Sequence, residues 1–204
     1  MKLLIAIPAM DYVHVEFVKS LLALKDELTA SDLVQKLEIS IESGTLVYLA
    51  RNKLARKAVN EDYTHVLWLD SDMVFTPGIV EDLAFCGCSV VSGIAVSRRQ
   101  PFGSCLFSSL DPVERITEYP REAFEVAACG FACVLTDVEV LKSVFQTFGT
   151  AFTPTDTFGE DVAFCGRARR CGYKIMAEPS VRLGHIGHIP IYPDNAERYR
   201  DVIH

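Results

Sequence analysis

The sequence lacks the features that mark several classes of protein. No basic stretch is long enough to follow a phosphate backbone, and the 204 residues carry 20 basic and 27 acidic side chains, a formal charge of −7. Nucleic acid is therefore not an expected partner. No apolar run is long enough to span a bilayer. Repeats, low-complexity tracts and an evident linker are also absent.

The cysteines form no recognised pattern. There are seven, an odd number, so a disulfide framework is not indicated. The nearest pairs along the chain are Cys86 and Cys88, Cys129 and Cys133, and Cys165 and Cys171. None has the C-x-x-C spacing of a zinc or redox site. We interpret the cysteines as reduced core thiols of a cytoplasmic protein.

The N-terminal segment MKLLIAIPAMDYVHVE has one lysine before a short apolar run that breaks at Pro8. It contains no small-residue cleavage pattern, so it predicts a first strand and not a signal peptide. Half of all residues (50%) are hydrophobic, which is enough for one substantial core at this length. We therefore expect a single domain over residues 1–204.

Strand-like and helix-like patterns alternate through the first half of the chain. The strand-like segments are 2–7, 37–43, THVLWLD and CSVVSGIAV. The helix-like segments are MDYVHVEFVKSLLALKDEL with Asp11 as N-cap, TLVYLARNKLARKAVN, and TPGIVEDLAF, which Thr76 and Pro77 are expected to begin. Alternation of this kind predicts an α/β fold, with a mainly parallel sheet flanked by helices.

The second half of the chain is less regular. Residues 97–124 suggest loops with short hairpin strands. Regular patterns resume with the segment EVAACGFACVLTD. A helix from Val138 follows, then the helix EDVAFCGRARRCG with Gly172 as its C-cap, and then the closing strand YKIMAEP.

Two acids, Asp70 and Asp72, follow the apolar strand VLWL with only Ser71 between them. Ligands bind at the carboxyl ends of the strands of an open parallel sheet. One interpretation is that the acids cap the next helix. The other is that they bind Mg²⁺ or Mn²⁺, which prefer oxygen ligands. We favour the metal, because Thr76 and Pro77 offer that helix a better start.

Arg51 interrupts the apolar stripe of the second helix, which includes Val47, Leu54 and Ala58. An arginine in that position requires an anion. Its partner is either a nearby acid or a phosphate held by the guanidinium in two places. The sequence favours neither alternative.

A third group of residues lies near the end of the chain. Glu160 and Asp161 open a helix, where acids complement the helix dipole, so their position has a complete structural explanation. The argument for a functional site is strengthened by His185 and His188, which follow a strand in a glycine-rich turn. A neutral imidazole in that position is a candidate metal ligand.

The chain resembles the GT-A-fold glycosyltransferases, specifically the family 2-like group. The resemblance covers nearly the whole chain and rests on the segments LLIAIPAMD, LARNKLARKAV, VLWLDSDM as the DXD motif, GFACVLTDVEVL, and GEDVAFCGRARRCGYKIMAEPSVRLGHIG. It implies a metal-dependent transfer of a sugar from a nucleotide-diphosphate donor to an acceptor hydroxyl on a glycan, a lipid-linked sugar or a protein. Residues 1–97 would form the nucleotide-binding half and residues 98–204 the acceptor and catalytic half.

The resemblance also implies roles for individual residues. Asp70 would approach the ribose and a metal-bound water, Asp72 would bind the metal directly, and His185, or His188 in its place, would complete the metal site. Arg51 and Asn52 would reach toward the base or the diphosphate. The residues implied to line the nucleobase pocket are Pro8, Ala9 and Met10.

Transfer chemistry requires a base, and the resemblance implies one for an inverting mechanism. Asp161 would take the proton of the acceptor hydroxyl, and Glu160 would position the acceptor or support the helix. A retaining mechanism needs no such base, and the sequence leaves the stereochemistry open.

Two other functions remain as alternatives. A nucleotidyltransferase would share the sheet edge and the metal, but it normally carries a glycine-rich, basic phosphate loop after the first strand. The segment IPAMDYVH contains neither glycine nor lysine. The other alternative is a non-catalytic module that binds a nucleotide sugar.

Overall fold

The computed structural model describes residues 1–187 and the backbone of residues 190 and 191, so the candidate ligand His188 lies outside the described residues. The strands are β1 (Lys2–Pro8), β2 (Lys36–Glu42), β3 (His65–Leu69), β4 (Met73–Val74), β5 (Val90–Ile94), β6 (Leu106–Leu110), β7 (Val113–Arg115), β8 (Phe124–Val126), β9 (Ala128–Cys129), β10 (Cys133–Asp137), β11 (Ile175–Arg182), β12 (Gly184–Ile186) and β13 (Pro190–Ile191). The helices are α1 (Val15–Ala30), α2 (Val47–Asn60), α3 (Ile79–Phe85), α4 (Val138–Phe148) and α5 (Glu160–Arg170).

A central seven-stranded sheet has the order β2-β1-β3-β10-β5-β11-β8. Strand β1 is parallel to β2 and β3, and β11 is parallel to β5. Both β3 and β5 are antiparallel to β10 and therefore parallel to each other. Five strands thus run in one direction, namely β1, β2, β3, β5 and β11. Only β10 and β8 are reversed within the described sheet. The predicted α/β fold with a mainly parallel sheet is confirmed.

Each face of the sheet carries its own apolar layer, because successive side chains of a strand point to opposite faces. On one face Leu4 and Trp68 pack in a cluster with residues of α2, α4 and α5. On the other face Leu3 and Leu67 pack in a cluster with residues of α1 and α3. The strands are apolar on both sides because helices cover both faces. None of the described helices is long and apolar enough to cross a membrane.

Two predicted helix starts were wrong. Helix α1 begins at Val15 with His14 at its N-cap, so Asp11 lies in the loop before it. Helix α3 begins at Ile79 with Gly78 at its N-cap, so Thr76 and Pro77 precede it. Pro77 and Gly78 form a turn before α3. Tertiary hydrogen bonds hold the chain shortly before each helix. The His14 amide donates to the carbonyl of Ser71, and the Phe75 amide donates to the hydroxyl of Ser20.

The end of α5 differs from the prediction by one residue. Cys171 occupies the C-cap, and Gly172 follows it with a φ of 90°, a conformation that glycine adopts without steric cost. The predicted hairpin strands between residues 97 and 124 are confirmed by β6 and β7, which pair with each other. Strand β6 also pairs with β9, which follows that segment. An isolated antiparallel bridge between Val96 and Ser104 closes the loop before β6.

Candidate active site

A pocket of about 380 Å³ lies where β1, β3 and β5 end. Its walls come from the loops after these strands, from the start of α2, from the first residue of α5 and from β12. The lining residues are Pro8, Ala9, Met10, Thr45, Val47, Arg51, Asp70, Ser71, Asp72, Ser97, Arg98, Arg99, Glu160 and His185. Parallel strands end at a common edge, so residues far apart in the sequence meet there.

Most of the predicted donor and metal residues meet in this pocket. Ala9 is buried and Met10 is 77% exposed, so the loop after β1 offers both a backbone wall and a free side chain. Asn52 is the exception. Its amide oxygen accepts hydrogen bonds from the hydroxyl of Thr150 and from the amides of Ala151 and Phe152, at 3.0–3.2 Å. Asn52 therefore anchors the loop after α4 and does not line the pocket.

Arg51 lies between two carboxylates at the base of the pocket. Its Nη2 donates to Oδ1 of Asp70 over 2.7 Å, and its Nε lies 3.5 Å from Oε1 of Glu160. The Phe131 ring lies 5.3 Å from its Cζ, a cation–π distance. The arginine is held by acids of the same site, and it links the end of β3 to the start of α5. Burial raises the pKa of Asp70, although the Arg51 charge opposes this shift.

Asp72 is contacted by two cationic or potentially cationic side chains through the same oxygen. Its Oδ2 lies 2.5 Å from Nη1 of Arg98 and 3.3 Å from Nε2 of His185. Burial works against ionisation, but the hydrogen bond and charge of His185, with the charge of Arg98, hold the pKa of Asp72 below its ordinary value. Although burial favours a neutral imidazole, Asp72 in turn raises the pKa of His185.

These residues fit a divalent cation in part. Two neighbouring ligands at about 2.1 Å in an octahedral site lie about 3 Å apart, close to the observed spacing of Asp72 and His185. Nδ1 of His185 lies 2.8 Å from the carbonyl oxygen of Val96, which only accepts, so a neutral imidazole keeps its lone pair on Nε2. Within residues 1–187, however, no three His, Cys, Asp or Glu side chains form a cluster that could hold a metal. Asp70, the third predicted ligand, is paired with Arg51.

Asp161 lies beside the pocket, near the loop that contains Gly130. A Cβ at Gly130 would lie 3.6 Å from Oδ2 of Asp161 and 3.2 Å from Cβ of Cys105, so the glycine permits this close packing. Oδ1 of Asp161 accepts a hydrogen bond from the amide of Val162 over 2.7 Å. Burial, and next the charge of Glu160, raise the pKa of Asp161. Burial also raises the pKa of Cys105 to about 11, so its thiol is neutral at pH 7.

Sequence analysis did not identify the arginines of the loop after β5. Arg98 and Arg99 line the pocket, yet they were included in a segment interpreted only as loops. A signal was present: the two consecutive arginines follow the predicted strand CSVVSGIAV with only Ser97 between, and the end of that strand reaches the same sheet edge as Asp70.

Comparisons with known proteins concern the fold. No protein-family model and no curated protein matches the chain. Among solved structures, A197 from STIV is 23% identical with a TM-score of 0.71, over 95% of this chain and 91% of that chain. The structure of GalNAc-T7 with UDP, GalNAc and Mn²⁺ is 16% identical with a TM-score of 0.51, over 89% of this chain but 38% of that chain. The described chain has a single α/β domain of GT-A type.

Proposed function

We propose that this protein is a glycosyltransferase that moves a sugar from a nucleotide-diphosphate sugar to an acceptor hydroxyl, with Mn²⁺ or Mg²⁺ as cofactor and with inversion. The observation that carries the proposal is the pairing of Asp72 with His185 at the strand-end edge of a GT-A-type sheet. The GalNAc-T7 structure of similar fold holds UDP and Mn²⁺, which supports the same ligand chemistry here.

Donor binding is assigned to the loop after β1 and to the floor of the pocket. A volume of about 380 Å³ lies within the usual range for small-molecule sites. Pro8, Ala9 and Met10 would contact the nucleobase. Asp70 would face the ribose, and Arg51 holds that carboxylate in place through its 2.7 Å contact. Arg51 thus acts on the donor through Asp70.

Asp72 and His185 would hold the cation, whose bound form supplies positive charge to the departing diphosphate. Asp72 suits this task because its lowered pKa keeps it anionic at neutral pH. His185 suits it because the Val96 carbonyl orients the imidazole with Nε2 toward Asp72. Both side chains are well covered, each with 18% of its surface exposed, so few water molecules compete for them.

Asp161 is the proposed base. Its carboxylate takes the proton of the acceptor hydroxyl as the hydroxyl oxygen forms a bond to the anomeric carbon of the sugar. The bond from that carbon to the diphosphate oxygen breaks, and its electron pair leaves with the nucleoside diphosphate. A raised pKa makes Asp161 a stronger base than an ordinary aspartate. Glu160 lies nearer to Arg51 and supports the site by balancing that charge.

The direct test is a panel of UDP-, GDP- and dTDP-sugars with Mn²⁺, with Mg²⁺ or with EDTA, scored for nucleoside diphosphate release. We expect release from at least one donor in the presence of metal. EDTA and the variant Asp72→Asn should each abolish it. Release of pyrophosphate in a parallel assay with a nucleoside triphosphate and a sugar 1-phosphate would instead indicate a nucleotidyltransferase. Donor binding with no turnover in the presence of varied acceptors would indicate a binding module.

A further inference from the structure

Arg98 forms an ion pair with Asp72, the carboxylate that would bind the proposed cation. Its Nη1 lies 2.5 Å from Oδ2 of Asp72, the same oxygen that faces Nε2 of His185. The Asp72 side chain is 18% exposed and the Arg98 side chain is 44% exposed. The guanidinium therefore covers the carboxylate from the solvent side, where a metal ion and a diphosphate would arrive.

Arg98 belongs to a loop that is closed at its base, and its side chain is long and half exposed. The Ser97 amide donates to the carbonyl of Gly103, and Val96 bridges to Ser104. Val96 also accepts from His185. The base of the loop is therefore closed, and we expect Arg98 to change partner through rotation of its half-exposed side chain.

We propose that Arg98 makes the binding of the divalent cation and of the donor diphosphate mutually dependent. Without nucleotide, Arg98 pairs with Asp72 and competes with the cation for its Oδ2. With nucleotide, the guanidinium turns to the phosphate oxygens, which it can grip in two places, and Asp72 is released to the cation. The inference rests on the proposed function, since it concerns the same diphosphate and cation.

The proposal has a quantitative consequence, because coupling between two ligands is reciprocal. If nucleotide raises the affinity for Mn²⁺, Mn²⁺ raises the affinity for nucleotide by the same factor. Couplings of this kind are commonly about 5- to 150-fold. Arg98→Met removes the competitor, so Mn²⁺ should bind the nucleotide-free variant about 5-fold or more tighter than it binds the parent protein, and the coupling factor should fall toward one.

Arg99→Met is the matched control. Arg99 is the next residue, lines the same pocket and carries the same charge, but its guanidinium is not the one that contacts Asp72. Any general effect of removing one positive charge from the pocket should be equal in the two variants. Tighter Mn²⁺ binding caused by removal of a competitor for Asp72 should be seen only in Arg98→Met.

The experiment is a titration of Mn²⁺ into the parent protein and both variants, with free Mn²⁺ measured by electron paramagnetic resonance. It is repeated with whichever of UDP and GDP binds the parent, after correction for Mn²⁺ held by the nucleotide. Tighter Mn²⁺ binding and reduced coupling in Arg98→Met alone would support the proposal. Equal Mn²⁺ affinity and equal coupling in all three proteins would overturn it and leave the proposed function standing. No Mn²⁺ binding by any protein, with or without nucleotide, would overturn both.

Discussion

Arg51 donates a hydrogen bond to Asp70 over 2.7 Å while only 2% of its surface is exposed. The sequence allowed an acid or a phosphate as the partner of this arginine, and the partner in the structure is an acid. Nε and Nη1 of the guanidinium are buried with no hydrogen-bond partner among the described residues, although Glu160 lies near enough to balance the charge. The arginine is consequently part of the framework of the site.

Replacing Arg51 should therefore cost stability. Arg51→Met leaves Asp70 half-buried without its countercharge, and breaking a buried ion pair costs about 3 kcal/mol or more. Denaturant unfolding measures the loss. Lys53→Met is the control on the same helix, because the exposed pair of Lys53 with Glu42 should contribute under about 1 kcal/mol. Unchanged stability of Arg51→Met together with weakened nucleotide binding would contradict the framework role.

Substitution of Asn52 should likewise change the stability of the protein and leave its nucleotide affinity unchanged. Asn52→Ala removes the acceptor for Thr150, Ala151 and Phe152, and unsatisfied donors in partly buried positions should cost about 1–3 kcal/mol. Nucleotide affinity, measured by calorimetry, should remain that of the parent. Asn52→Asp keeps an oxygen in the same place and should retain most of the stability. A large loss of affinity in either variant, at normal stability, would restore Asn52 to the donor site.

Asp161→Asn tests the base. The amide keeps the shape of the side chain and an oxygen acceptor for the Val162 amide, but it cannot take a proton. Donor binding should survive, and transfer should fall by about 10²–10⁴-fold. Glu160→Gln should have a milder effect. If both acids serve only the dipole of α5, each variant should lose about 0.3–1 kcal/mol of stability and keep nearly its full rate.

The pH dependence of turnover tests the same residue in a different way. Only ionised Asp161 can accept a proton, so activity is present above its pKa and is lost as pH falls through it. Since burial raises that pKa, the acid limb of the kcat profile should lie above the ordinary value of 3.8. The residual activity of Asp161→Asn should lack this limb. The same limb in both proteins would assign it to another group.

The sequence was sufficient for the fold class, for residues adjacent to a strand end and for one buried charge. The alternation of apolar strands with amphipathic helices predicted helices on both faces of a mainly parallel sheet, because each pattern reflects how many sides of an element are buried. Asp70 and Asp72 follow β3 directly, so their place at the sheet edge depends on local chain geometry alone. Arg51 was recognised as buried because helical spacing places it in the apolar stripe.

Only the tertiary structure decided which strands lie side by side and which side chains contact one another. Strand β10 lies between β3 and β5, although residues 70–132 separate it from the end of β3, and hairpin β6–β7 belongs to a different sheet. Asp72 meets Arg98 from 26 residues away and His185 from 113 residues away. Asn52 is bound by a loop about 100 residues later. Periodicity reports whether a side chain is buried, whereas the group that it meets depends on strand order and loop closure, which are set by packing across the whole domain.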